Sequence, residues 1–90
     1  MEHKAARPED MIRFAAKMYG FLPKDVVGPS HSRSRVRARK VAAAIMRRAG
    51  FSYWEVAQFL NRNYTTARRA ILAVEGDDNL KRTVNLYFSK

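Results

Sequence analysis

The chain of 90 residues has no cysteine, three prolines, four glycines and a single tryptophan. Without cysteine there is no disulfide and no thiolate metal site, so the fold must rest on its apolar core. The two histidines, His3 and His31, are far apart and make no metal motif, so neither metal nor cofactor is expected. No apolar run approaches the ~20 residues a membrane-spanning helix needs. The opening MEHKAARPED lacks the apolar centre of a signal peptide. The expectation is a soluble, cytoplasmic, nucleoid-associated protein with no membrane partner. There is no clustered histidine and no carboxylate pair in the basic region, so no enzymatic activity is expected. Acids are scarce in the middle of the chain. Residues 31–74 carry ten Lys/Arg against Glu55 alone, while 1–30 are net +1 and 75–90 are neutral. Solubility does not require that clustering, whereas attraction of a polyanion does. The bland alternative is a solvated arginine-rich surface. Arg33 to Lys40 offers no wide apolar face for a membrane surface.

Ninety residues allow one domain with a modest core, which helices around one centre fill economically. Residues 1–8 are expected to be a flexible tail and 9–90 a single domain. Pro8, Glu9 and Asp10 read as a helix start, and Met11, Phe14, Ala15 and Met18 follow at helical spacing to Gly20. A short turn of helix is predicted near 23–27, then a loop through Gly28 and Pro29. From Arg35 to Ala49, Ala38, Val41, Ala42, Ile45 and Ala49 share one face. Ser52 and Glu55 make a capping box for a helix over 53–60. Asn61 breaks that helix, and the next runs from about 63 to 75 with Ala67, Ala70, Ile71 and Val74 inward. A last helix over 78–88 buries Leu80 and Val84. The fold class expected is all-α, a small bundle of four to six helices containing a helix-turn-helix with a basic loop.

The helices 53–60 and 63–75, joined by a tight turn, carry the chemistry. In a helix-turn-helix the second helix enters the major groove and its first residues meet base edges. Here those are Asn63, Tyr64, Thr65 and Thr66. Asparagine pairs bidentately with adenine, and a threonine methyl packs against thymine. Each has a structural alternative: Asn63 or Thr65 as a helix cap, Tyr64 as a core ring. Trp54 reads as core or as packing at the phosphate edge rather than as a base-stacking platform, because one aromatic in a capping box is usually structural, and Phe14, Phe51 and Phe59 read as core. On SRSRVRARK at 32–40, Arg33 and Arg35 are expected to precede the helix and extend into a narrow minor groove. Phosphate contacts are expected from Arg37, Arg39, Lys40, Arg47, Arg48, Arg62, Arg68 and Arg69. A basic arm with no fixed contacts is the alternative.

These stretches resemble the C-terminal DNA-binding domain of DnaA-type bacterial replication initiators. The signature Phe-Gly-Gly-Arg-Asp-His-Thr-Thr, followed by an apolar-His-Ala run, is similar to Phe59 through Ala70. The Ser-Arg-Ser then Arg-x-Arg loop is similar to Ser32, Arg33, Ser34, Arg37 and Arg39. A Ser-Leu-Pro-Glu helix start is similar to Ser52, Tyr53, Trp54 and Glu55. The resemblance covers roughly 10–88. It implies an all-helical domain related to the Trp-repressor fold, with the helix-turn-helix in the major groove and the basic loop in the minor groove. By that resemblance Asn63, Tyr64 and Thr65 stand for the base-contacting Asp, His and Thr, and Thr66 for the second Thr. Arg62 is the signature Arg, Arg47 falls where a phosphate-contacting Lys stands, and His31 falls where the minor-groove Arg is expected. Arg33 or Arg35 would then take over the role at His31.

Asparagine and tyrosine in place of aspartate and histidine imply a different preferred site or relaxed specificity. No Gly-x-x-x-x-Gly-Lys run is present and there is no room for the family's ATPase module. The chain therefore reads as a stand-alone DNA-binding domain or a piece cut from a longer protein. The expected partner is double-stranded DNA, bound as a small replication or transcription regulator. The alternative partner is a protein, a replication initiator or another replication protein, bound through the same fold. Monomer and homodimer both remain open, the latter through the apolar surplus of 78–88.

Overall fold

A computed structural model describes residues 7–89, which form six α-helices and no strand. The all-α expectation holds. The expected tail falls mostly on residues 1–6, outside the described residues, and Pro8 is already the first residue of α1 (Pro8–Met18). Glu9 and Asp10 lie in the first turn of α1 and Lys17 in the last, each beside the helix end of opposite partial charge. Met11, Ile12, Ala15 and Ala16 face inward. The helix stops at Gly20, whose φ of +79° lets the Phe21 amide return to the Ala16 carbonyl at 2.8 Å. α2 (Pro23–Val27) follows, and the Asp25 carboxylate accepts from the Leu22 amide at 3.0 Å.

α3 (Arg33–Arg48) is the axis of the bundle and packs against each of the other five helices. Its sequence explains that position. Ala38, Val41, Ala42, Ala43, Ile45 and Met46 are fully buried, and the small alanines let neighbouring backbones come close. α3 starts two residues before its expected start because Ser32 caps it, its hydroxyl accepting from the Arg35 amide at 3.3 Å. Arg33 and Arg35 therefore lie in the first helical turn, which corrects the expectation that they precede the helix as a free arm.

α4 (Tyr53–Phe59) opens with the expected capping box: Glu55 N–H donates to the Ser52 hydroxyl at 3.1 Å, and Ser52 N–H donates to the Glu55 carboxylate at 2.8 Å. Val56, Ala57 and Leu60 are buried. Asn61 then adopts φ +56°, a left-handed conformation that asparagine tolerates better than most side chains. The Arg62 amide reaches back to the Ala57 carbonyl at 2.9 Å, and α5 (Tyr64–Glu75) begins after Asn63. Ala67, Ile71 and Val74 bury one face of α5. Asp77 caps α6 (Asp78–Phe88), accepting from the Asn79 and Leu80 amides at 3.0 and 3.1 Å. Leu80 and Val84 anchor α6, and Tyr87 meets Phe14 of α1 edge-on at 5.2 Å. Burial pushes the Tyr87 phenol pKa up, with Asp10 adding to the effect. No helix among the described residues is long and apolar enough to cross a membrane.

Candidate nucleic-acid interface

Turn 60–63 sets the start of α5, and that start differs from a row of four extended readers. Asn63 is the N-cap: its side-chain oxygen accepts from the Thr66 amide at 2.8 Å. Bidentate pairing with adenine would compete with that bond. Tyr64 is half-buried and turns toward α4, its ring 4.5 Å from Trp54 and 5.8 Å from Tyr53, centroid to centroid. Thr65 and Thr66 are exposed, as are Arg68 and Arg69 one turn on. Trp54 is not core. It is 67% exposed, and Phe59 lies at the surface edge-on to Phe51.

The arginines divide into two groups. Arg39 is 5% exposed, and its guanidinium donates to the carbonyls of Val26 at 2.8 Å, Ser30 at 3.0 Å and Gly28 at 3.2 Å. That geometry takes Arg39 out of the outward-facing set in which it was expected. Burial, and then the neighbouring Arg62, lower its pKa from the ordinary arginine value. Arg62 is half-buried and donates to the carbonyls of Val27, Gly28, Leu60 and Asn61. It too is turned inward, tying the turn before α5 to the loop before α3. Arg35 folds back over the Phe21 ring, 5.1 Å from its centroid, donates to the Ser30 hydroxyl at 3.1 Å and lies 3.8 Å from Asp25. The Arg35 Nε is buried with no hydrogen-bond partner. Arg48 reaches the Asn85 side chain and covers the Phe88 ring, joining α3 to α6.

Arg33, Arg37, Arg47, Arg68, Arg69 and His31 are exposed, and Lys40 is half-buried. Arg47 lies over the Tyr53 ring at 4.6 Å and donates to the Phe51 carbonyl at 3.2 Å. Between the start of α3 and the outer face of α5 an open cleft of about 440 Å³ collects His31, Lys40, Thr66 and Arg69, with Arg39 and Arg62 also in its wall. Two separate sequence segments, 31–40 and 62–73, thus bring basic side chains to one place. Among the described residues no three His, Asp or Glu side chains gather as metal ligands would. Sequence reasoning missed the inward turn of Arg39 and Arg62. One available signal was the width of the apolar face on α3, which leaves little room for Arg39 to reach solvent.

An all-helical domain with a basic cleft against the helix that follows a tight turn is the class these features define. Over 74 residues, 81% of the chain, the sequence is 31% identical to the chromosomal replication initiator protein DnaA 1 of Chlamydia muridarum. The chain spans 16% of that relative's length. The resemblance read from the motifs is thus matched by a similarity running along most of the chain, and the fold is consistent with a DnaA-like helical domain. No family model matches the chain, and no solved structure gives a significant match.

Proposed function

We propose that the chain is a domain that binds double-stranded DNA and acts as a small regulator of replication or transcription. In this reading α4 and α5 work as a helix-turn-helix, with α5 in the major groove and the loop before α3 at the adjacent minor groove. The observation that carries it is the cleft in which half-buried Lys40 from α3 and exposed Arg69 from α5 meet beside the exposed Thr66, with Arg39 and Arg62 in its wall. Similarity to a chromosomal replication initiator supports it. Thr65 and Thr66 are the base readers. Asn63 sets the helix start and offers its remaining amide hydrogens. Arg33 and His31 serve the minor groove. Arg37, Lys40, Arg47, Arg68 and Arg69 meet phosphates. A gel-shift titration on random and box-containing duplexes across a salt series tests the reading. Affinity should fall steeply with salt, and Thr65→Ala should reduce discrimination between sites by about 1–3 kcal/mol. Salt-independent binding, or none, sinks it.

One observation favours a second reading, in which the same fold binds a replication initiator or another replication protein: the exposure of Trp54. Capture of such a partner that survives nuclease treatment would support it.

A further inference from the structure

Trp54 is the chain's single tryptophan and keeps 67% of its surface in solvent. Tyr64 lies against it with the ring planes 31° apart, and Tyr64 in turn meets Tyr53 edge-on. The Arg47 and Arg68 guanidiniums lie over the Tyr53 ring at 4.6 and 5.9 Å. Tyr64 covers one face of the indole, so the exposed area is its opposite face and edge. Trp54 and Tyr64 are also two positions at which this chain departs from the motifs it resembles, and the two side chains touch.

We propose that the outer face of Trp54 is a stacking platform for an unpaired nucleobase, giving the domain a single-strand binding mode on its basic face. A base inside a duplex has both faces covered by its neighbours and offers only edges. A free indole face is matched by a base whose own face is free. Tyr64 backs the indole at 4.5 Å between ring centroids. Arg47 and Arg68 are exposed beside the ring cluster, placed for the phosphates that flank a stacked base. The adjacent acid, Glu55, is turned back onto the Ser52 amide. The chain on either side favours a base over a broad protein surface: Ser52, Glu55, Gln58, Asn61 and Asn63 are all exposed and polar.

The test titrates the protein with a short oligothymidylate and with an abasic oligomer of equal phosphate number, following Trp54 fluorescence in the wild type and the anisotropy of an end-labelled strand for every protein, since the Trp54 variants contain no tryptophan. The oligothymidylate should quench the tryptophan and bind about tenfold more tightly than the abasic strand. Trp54→Ala should bring the two affinities together, and Trp54→Phe should restore part of the difference. Equal affinity for the two strands, or fluorescence unchanged at saturation, overturns the proposal. So does a folded Trp54→Ala protein that keeps the preference. The wild-type comparison decides the matter even where a variant fails to fold. It uses no duplex, so it stands or falls separately from duplex binding.

Discussion

The loop and helix start at 28–40 and the turn and helix start at 60–69 are both basic, and each sends arginines in two directions. Arg39 and Arg62 turn inward and share the Gly28 carbonyl, while Arg33 and Arg37, and Arg68 and Arg69, face water. The two regions are nevertheless held by different rules. Segment 60–69 is shaped largely by its own sequence: a left-handed Asn61, a return bond from the Arg62 amide and the Asn63 cap. Loop 28–32 has the local bonds of Ser30 and Ser32, but its carbonyls are pinned by side chains nine or more residues distant. A basic residue near a nucleic-acid face is therefore as able to build the face as to touch the ligand.

Breaking the long-range rule should have the largest effect. Arg39→Ala takes the Arg39 donor from the Val26 and Ser30 carbonyls, leaves Gly28 to Arg62 alone, and should cost about 3 kcal/mol of stability, read by denaturant unfolding. Arg62→Ala removes a less buried fork and should cost about 1.5 kcal/mol, with faster amide exchange in 28–32 as its signature. The local rule is tested by Asn63→Ala, which loses the cap of α5 and should cost about 1 kcal/mol. Asn63→Ser should recover most of that. The sharpest contrast is Arg37→Ala, two residues from Arg39. Stability should move by no more than about 0.5 kcal/mol, while the salt slope of duplex affinity falls by about one unit. If Arg37→Ala and Arg39→Ala destabilise equally, the division between inward and outward arginines is wrong.

Capping chemistry made much of the fold readable. Ser52 with Glu55, Asp77 and Gly20 each act within a few residues of themselves, so sequence alone places the helix ends they control. The start of α3 is harder to place: Ser32 caps it as Ser52 caps α4, but within an alternating Ser-Arg stretch it reads as part of an arm. Placement of the site was less readable. Side-chain type marks Arg39 and Arg62 as charged but does not reveal that two unpaired strings of carbonyls would draw them inward. Trp54 reads as core or as packing at the phosphate edge because a lone aromatic in a capping box is usually structural. Its exposure depends on how α4 meets α5 through Tyr64, a contact between residues ten apart that no helical periodicity records.

Arg39 and Arg62 both donate to the Gly28 carbonyl oxygen, and among the described residues neither has an ion-pair partner. Two positive charges held at one oxygen, in a chain of net charge +10, raise the free energy of the fold, and mobile small anions lower it again by screening the exposed share of that charge. Melting temperature and polyanion affinity should then run in opposite directions along a single salt series. The same chloride that loosens the complex tightens the uncomplexed fold.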